Sequence, residues 1–270
     1  MTEGFANEDF GYDPAALAAA GVMVDCPGLP YPPVPAPRYR PIDAGGRSWG
    51  FRSAVLAACP GYFTGPRAMP WETWALWRDG TVWMSLVPME VESQVPHIAA
   101  ARGTVVVCGL GIGVMAYAVA ARRAVDRVVV IDRDAEVIAM FHEFSGFADW
   151  PQREKIEIVQ ADARELRVDG VDFLYADIWP NYRMDCMIPD MQAIYRNIPA
   201  PACGYWGQEI DMVDHARARG VPPEAFSAEH VRAFARDHGL PLIGLEQPDY
   251  PGLCVRAATN PAIGRDRIPA

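Results

Sequence analysis

Three glycines alternate with apolar residues at positions 109, 111 and 113, between a β-branched run and a helical pattern. A turn between a strand and a helix offers backbone N–H groups and the positive end of the helix dipole to a carboxylate or phosphate. Gly109, Gly111 and Gly113 suit such a turn because a side chain would hold the ligand away from the backbone. The segment therefore predicts an anion-binding site at the start of a helix.

Aspartates follow the three strands that are predicted after this turn. Asp132 ends the next strand, 19 positions beyond Gly113, where a carboxylate can bind both hydroxyl groups of an adenosine ribose. Asp162 and Ala163 follow the third strand, so the carboxylate can accept from an adenine amino group while the Ala163 N–H contacts the ring. Asp177 ends the fourth strand. Parallel strands end at one edge of their sheet, and we expect these residues to meet in the crevice there.

Two other nucleotide sites fit the glycine turn less well. A phosphate-binding P-loop requires Lys-Ser or Lys-Thr after the last glycine, and Val114 and Met115 stand there instead. A nicotinamide fingerprint places its third glycine one position later than Gly113. NAD binding therefore stays open as the weaker alternative.

Strands and helices alternate around these residues, which indicates a mostly parallel sheet. The last two strands are joined by 246–249, a connection too short for a crossover helix, so they are predicted to pair antiparallel. The predicted fold class is α/β: a Rossmann-like, seven-stranded, mostly parallel sheet with helices on both faces and a C-terminal antiparallel hairpin. The strands are predicted over 104–108, 127–131, 155–159, 172–176, 202–206, 240–245 and 252–257, and the helices over 114–124, 135–144, 187–197 and 223–238.

The chain before this sheet has a different pattern. Seven prolines between positions 26 and 41 exclude a helix or a central strand and predict an extended arm, which either covers the site or links domains. Asp79-Gly80 predicts a tight hairpin with strands over 73–78 and 81–86, and a helix follows over 89–101. The proline-rich arm and the hairpin thus precede the sheet, with domains at 1–70 (arm or lid), 71–101 (hairpin and helix) and 102–270 (catalytic domain).

The successive motifs resemble those of class I S-adenosylmethionine-dependent methyltransferases. They read VVVCGLGIG (105–113), VVVID (128–132), QADA (160–163) and DFLYAD (172–177), and the likeness spans positions 74–180. The nearest branch is that of spermidine synthase, because a tryptophan-rich hairpin and the pair Glu90 and Gln94 precede the turn. The resemblance implies that the cofactor is S-adenosyl-L-methionine. It also implies that the turn with Gly109, Gly111 and Gly113 lies along the methionine part of the cofactor. By the same likeness Asp132 binds the ribose, and Asp162 and Ala163 bind adenine.

The loop after the fourth strand departs from the spermidine synthase pattern. In polyamine synthases this loop has the motif Asp-x-x-Asp-Pro. In this chain the first aspartate of the motif is present as Asp177, and Pro180 stands where the motif has its second aspartate. We predict Asp177 as the general base or the anchor of an amine. Trp179 and Tyr175 are candidates for cation–π contact with the sulfonium or a cationic substrate, and the alternative for Tyr175 is a place in the core.

Two further pairs are candidates for the same site. Glu90 and Gln94 lie four positions apart on one helix face and are predicted to bind the amino acid end of the cofactor, unless they form a solvated surface pair. Gln208 and Glu209 follow the fifth strand and are candidates for substrate contact.

Composition limits the class of partner and the compartment. The formal charge of −10 and the pI near 5.0 oppose binding to nucleic acid or to anionic membranes, so a small or cationic molecule is the expected substrate. The six cysteines form no C-x-x-C pair and the histidines have no metal-binding spacing, which predicts reduced thiols and no metal site. We expect a cytoplasmic protein without a secretory signal or membrane span, and a homodimer stays open.

Four functions stay open at this point. Methyl transfer from S-adenosylmethionine to a small molecule is favoured because it is the commonest chemistry of the fold. The second is attack on the propyl arm of the cofactor with release of methylthioadenosine, by aminopropyl or aminocarboxypropyl transfer or by internal cyclisation. The third is a non-catalytic S-adenosylmethionine-binding protein, and the fourth is an NAD-dependent reductase.

Overall fold

A parallel five-stranded sheet forms the centre of the fold. The fold is seen in a computed structural model that describes residues 10–43, 45–69 and 71–264. The strands are β1 (Val22–Val24), β2 (Val34–Ala36), β3 (Trp49–Ala54), β4 (Ala58–Cys59), β5 (Arg67–Ala68), β6 (Thr73–Arg78), β7 (Thr81–Ser85), β8 (Gly103–Cys108), β9 (Val125–Asp132), β10 (Ile156–Gln160), β11 (Phe173–Ala176) and β12 (Cys203–Tyr205). The helices are α1 (Pro14–Ala19), α2 (Pro88–Ala100), α3 (Val114–Ala120), α4 (Ala135–Phe144), α5 (Met187–Asn197), α6 (Gln208–Arg217), α7 (Ala228–His238) and α8 (Tyr250–Thr259).

The order of the central strands creates a ligand crevice. The sheet runs β10-β9-β8-β11-β12, and all of its pairings are parallel. The chain leaves β8 towards β9 and β10 on one side and later returns to β11 and β12 on the other. The strand order therefore reverses between β8 and β11, which is where open α/β sheets bind their ligands.

Continuous apolar runs explain why β8 and β11 lie at the middle. All four residues of β11 and the last four of β8 are buried, as expected for parallel strands covered by helices on both faces. The predicted α/β class with a parallel sheet is confirmed. The predicted helices over 135–144 and 187–197 are confirmed with the same bounds, those of α4 and α5.

A second, antiparallel sheet of strands β3, β6 and β7 packs beside the central one. The predicted hairpin is confirmed, since Asp79 and Gly80 join β6 to β7 with φ angles of 51° and 78°. Phe51 of β3 stacks on Phe144 of α4 with ring centroids 3.8 Å apart. The indole of Trp49 donates to Asp134 Oδ2 at 2.7 Å. These contacts fix the small sheet against the helix that follows β9.

The predicted C-terminal hairpin is wrong. Residues 252–257 belong to helix α8, whose first turn holds a proline and whose buried face repeats at helical spacing through Tyr250, Leu253, Cys254 and Ala257. The predicted strand over 240–245 is reduced to one parallel bridge between Leu242 and Cys203. The described residues therefore form a five-stranded central sheet instead of a seven-stranded one.

Three smaller differences concern helices. The helix predicted over 114–124 ends at Ala120. The helix predicted over 223–238 divides into a 3-10 turn, Pro223–Ala225, and α7, because Ser227 caps α7 with a capping box. Helix α6 was not predicted, and it begins at Gln208 directly after Gly207, whose φ of 85° turns the chain out of β12.

Arg122 is a buried cation that binds the carbonyl groups at the C-terminal end of α2. Its Nη1 donates to the carbonyl groups of Ile98, Ala99 and Ala101 at 2.6, 2.7 and 2.6 Å. We expect Arg122→Met to lower the free energy of unfolding by about 3 kcal/mol, because these buried carbonyl groups lose a charged donor. The control is Arg123→Met at the exposed neighbouring position, and urea denaturation of both variants measures the difference. Equal losses in the two variants would contradict this role.

The cysteines are unpaired in the described ranges, with Cys26, Cys108, Cys203 and Cys254 buried and the other two half-buried. None of the helices in these ranges combines the length and the apolar character of a membrane-spanning segment.

Candidate active site

A cavity of about 400 Å³ lies at the carboxyl edge of the central sheet, at the point where the strand order reverses. It lies within the range typical of small-molecule sites. Nine of its lining residues are site residues that the sequence predicts, whereas Glu90 and Gly113 do not line it, and the small antiparallel sheet supplies another wall. The predicted residues at the cavity are Gly109, Gly111, Asp132, Asp162, Ala163, Gln94, Tyr175, Asp177 and Trp179.

The glycine turn joins β8 to α3 at one end of this cavity. Gly109 and Gly113 have φ angles of 102° and 82°, which side-chain-bearing residues rarely adopt. A Cβ atom at Gly109 would overlap the carbonyl oxygen of Asp177, and one at Gly113 would lie 2.5 Å from Phe141. Gly113 therefore serves packing and does not line the cavity. Gly111 lines the cavity, and its N–H donates to no residue within the described ranges.

Asp132 holds the glycine turn in place. Its Oδ2 accepts from the Leu110 N–H at 2.9 Å, and its Oδ1 accepts from the Asp134 N–H at 2.9 Å. An ionised carboxylate has about four lone-pair positions, so each oxygen keeps one for a ligand. Burial raises the pKa of Asp132 in spite of these two N–H donors. The carboxylate is thus oriented by the backbone and still has acceptor capacity at the cavity.

Asp162 is held by its neighbour Arg164. Its Oδ1 accepts from the Arg164 N–H at 2.9 Å and from Nε at 3.0 Å, and its Oδ2 accepts from Nη2 at 2.6 Å. These hydrogen bonds to Arg164 lower the pKa of Asp162 to about 2. One lone pair is left on Oδ2. The N–H of Ala163 donates to no residue in the part of the chain that the structure describes.

Two carboxylates lie near each other where α2 meets the end of β11. Burial raises the pKa of Asp177 to about 7. Burial and the Asp177 carboxylate together hold the pKa of Glu90 well above its usual range. Over residues 10–43, 45–69 and 71–264, no basic side chain forms an ion pair with either acid. This part of the site therefore has uncompensated negative charge whenever the acids ionise.

Two residues that line the cavity carry buried polar atoms without a partner among the described residues. Gln94 is 1% exposed, and its Oε1 accepts no hydrogen bond from the described residues. The hydroxyl of Tyr175, which is fully buried, likewise has no partner there. Buried polar groups in folded proteins are almost always paired, so these two atoms point to a bound ligand or water. Gln94 is thus buried beside the cavity and is not part of a solvated surface pair.

Trp179 forms a wall of the cavity and is fixed by α5. Its indole N–H donates to Asp190 Oδ2 at 3.0 Å, and its ring packs edge-on against Tyr205 at 6.1 Å. Gln208 and Glu209 do not line the cavity. Both are buried behind it, where they bond to the Tyr250 hydroxyl at 2.5 and 2.9 Å. Their candidate role in substrate contact therefore has no support from their positions.

Several residues of the cavity were missed by sequence reasoning. They come from the small antiparallel sheet, from the loops after β9 and β10 and from helix α5, and they include Trp49, Leu76, Arg78, Trp83, Met84, Arg133, Arg164 and Asp190. The tryptophan-rich hairpin was the available signal for Trp83 and Met84. No local pattern connects Trp49 with a helix that begins 86 positions later in the chain.

Comparisons with known proteins give partial likenesses. No family model and no curated protein matches the chain. Among solved structures, a spermidine synthase from Thermotoga maritima is 19% identical, with 46% of each chain covered and a TM-score of 0.34. A glycopeptide N-methyltransferase in complex with S-adenosylmethionine is 16% identical, with 40% of this chain and 43% of that chain covered and a TM-score of 0.30.

A third solved structure covers more of its own length. This candidate S-adenosylmethionine-dependent methyltransferase from Methanococcus maripaludis is 18% identical, with 50% of this chain and 67% of that chain covered and a TM-score of 0.32. The chain thus spans less than half of the other two structures. In these comparisons the chain is similar to S-adenosylmethionine-dependent methyltransferases and to spermidine synthase, over about half of its length or less.

Proposed function

We propose that this chain is a transferase that binds S-adenosylmethionine and moves a group from its sulfonium to a small cationic acceptor. One observation carries the proposal. Four consecutive strand ends, marked by Gly111, Asp132, Asp162 and Asp177, meet at a single cavity of about 400 Å³. Methyl transfer is the reaction that we favour.

The free hydrogen-bonding groups of the cavity fit the cofactor. The N–H of Gly111 can bind the methionine carboxylate, and the unpartnered Oε1 of Gln94 can accept from its amino group. Asp132 keeps a lone pair on each oxygen for the two ribose hydroxyl groups. The last lone pair of Asp162 and the N–H of Ala163 suit the amino group and ring of adenine. When bound, the sulfonium supplies an electrophilic carbon and a positive charge.

The charge of the site supports a cationic acceptor. Glu90 and Asp177 have no basic partner in the described ranges, and an amine with its ammonium charge would provide one. Trp179 and Tyr175 line the cavity together with Asp177, and a desolvated cation over an aromatic ring gains about 1–2 kcal/mol. Asp177 takes the proton from the acceptor nitrogen, whose lone pair forms the new N–C bond while the S–C bond breaks. Asp177 performs this step in its ionised form.

A second candidate reaction is attack on the propyl arm of the cofactor. The hairpin favours this reaction because its sequence resembles the one that precedes the glycine turn in spermidine synthase. Trp83 and Met84 of β7 in this hairpin form a wall of the cavity beside Gln94. The two reactions leave different products. Methyl transfer leaves S-adenosylhomocysteine, whereas attack on the propyl arm leaves methylthioadenosine. Mass spectrometry after incubation with S-adenosylmethionine, alone and with pools of small amines, separates the two reactions, and no turnover indicates a binding protein.

Asp132→Asn tests the cofactor assignment. We expect it to weaken S-adenosylmethionine binding by roughly 1.5–3 kcal/mol, because a charged acceptor of ribose hydroxyl groups is lost. Isothermal titration calorimetry with S-adenosylmethionine, and separately with NADH, measures the effect. Asp126→Asn, at an exposed position at the start of the same strand, is the control. Heat from NADH and none from S-adenosylmethionine would contradict the proposal in favour of a reductase.

A further inference from the structure

A chain of hydrogen bonds crosses from one loop of the cavity to another. Arg164 binds Asp162 through two nitrogens and also approaches Asp190 Oδ1 with Nη1 at 3.5 Å. Asp190 lies in α5, and its other oxygen accepts from the indole of Trp179 at 3.0 Å. All four residues line the cavity. We call this chain, Asp162–Arg164–Asp190–Trp179, the cavity bridge.

The local geometry of the bridge is more restrained than that of an ordinary surface ion pair. The side chains of Asp162 and Asp190 are 25% and 18% exposed. Asp162 accepts from the Arg164 backbone as well as from its guanidinium, and the Arg164 carbonyl accepts from Asn197 at 2.6 Å. A planar guanidinium that binds in this forked manner fixes the direction of the remaining carboxylate lone pair. The direction of that lone pair decides which base edge Asp162 can accept from.

We propose that Arg164 and Asp190 are positioning residues that aim Asp162 at the amino group of a 6-aminopurine and tie this base subsite to Trp179 at the acceptor end. The inference rests on the proposed function, and it adds the residues that set base selectivity. A purine with a carbonyl oxygen at position 6 would place that oxygen against the single free lone pair of Asp162. A site built to accept a hydrogen bond rejects such an analogue strongly.

Calorimetry of the full chain with S-adenosylhomocysteine and with its inosine analogue tests base selectivity. We expect the wild type to bind the adenosine compound at least roughly tenfold more tightly. Arg164→Gln should weaken the adenosine compound roughly tenfold and bring the ratio of the two dissociation constants close to one, since Asp162 can then rotate. Arg164→Lys should give an intermediate ratio, because an ammonium cannot bind both oxygens in a fork.

The matched control is Arg127→Gln. Arg127 forms an exposed pair with Glu157 at 2.5 Å, with side chains 55% and 54% exposed, and neither residue lines the cavity. We expect this variant to have the same ratio of the two dissociation constants, for the adenosine and the inosine compound, as the wild type. Melting temperatures of all variants identify any loss of folding, and a folded Arg164→Lys variant still decides the question if Arg164→Gln does not fold.

A double-mutant cycle tests the connection to Trp179. The effects of Trp179→Phe and Arg164→Gln on binding of S-adenosylhomocysteine should be non-additive, and Asp190→Asn should remove this coupling. An unchanged base ratio in the Arg164 variants, or additive effects in the cycle, would overturn the inference while the proposed function stands. A wild type that binds neither nucleoside would overturn the proposed function and the inference with it.

Discussion

Replacing Asp177 by asparagine should greatly slow turnover while the cofactor still binds. The substitution keeps the shape of the side chain but removes the carboxylate that takes the proton from the amine substrate. Loss of a general base lowers the rate by about 10²–10⁴-fold. Formation of S-adenosylhomocysteine or methylthioadenosine from S-adenosylmethionine and amine pools measures the rate, and calorimetry measures binding. The control is Asp169→Asn, at an exposed position before β11.

The pH dependence of the wild type should report the same group. Burial raises the pKa of Asp177 to about 7, so the carboxyl group is protonated and inactive as a base below that pH. We therefore expect kcat/KM to rise with pH up to about 7 and then to level off, and the residual rate of Asp177→Asn to lack this step. An Asp177→Asn variant with the wild-type rate, or one that retains the step, would show that another group accepts the proton.

The second large effect is expected from Gly109→Ala. A Cβ atom at this position would overlap the backbone carbonyl oxygen of Asp177, and φ is 102°. The left-handed conformation alone costs about 1–2 kcal/mol, and displacement of a backbone atom raises the total loss of stability to about 4 kcal/mol or more. Because Gly109 begins the turn whose Gly111 N–H is proposed to bind the methionine carboxylate, the same substitution should also abolish binding of S-adenosylmethionine. Urea denaturation and calorimetry measure the two losses.

Gly170→Ala separates the overlap from the backbone strain. Gly170 also has a positive φ, 71°, but a Cβ atom there would meet nothing within 4 Å. We expect this variant to lose only about 1–2 kcal/mol of stability and to bind the cofactor as the wild type does. Similar losses in the two alanine variants would mean that the contact between Gly109 and Asp177 is not important.

Elements with strong local signals could be predicted from the sequence. Helix α4 begins after Asp134, whose side chain accepts from the N–H groups of Glu136 and Val137. Such an N-cap marks the start of a helix, and the apolar residues at helical spacing that follow it indicate how far the helix extends. The turn Asp79-Gly80 is an equally local signal, because these two residue types favour the positive φ angles of a tight hairpin turn.

The C-terminal region shows where local patterns were insufficient. A short apolar run such as Leu253, Cys254 and Val255 is compatible with a buried strand or a buried helix. The helix could have been found from the proline in its first turn and from the helical spacing of Tyr250, Leu253, Cys254 and Ala257. The short connection 246–249 indicates an antiparallel pair only if both neighbouring segments are strands, and the segment that follows it is helix α8.

The candidate site could be predicted in part because strand order brings strand ends together. Asp132, Asp162 and Asp177 reach one cavity because each follows a parallel strand of the same sheet. Their roles towards a ligand stay predictions. Arg164 could not be assigned from the sequence, because its contact with Asp190 depends on the placement of α5 against the loop after β10.

The small antiparallel sheet has a consequence for exchanging segments between proteins of this fold. Leu76, Arg78, Trp83 and Met84 lie before β8 in the chain, yet they enclose the cavity, and Trp49 attaches their sheet to Asp134. A chimera that joins a foreign N-terminal segment to this chain at Gly103 would keep the glycine turn and its acids, but it would lose the wall of the cavity that the small sheet forms. A chimera that preserves ligand binding would have to take the small sheet and the central sheet from the same protein, as one segment that begins at position 49.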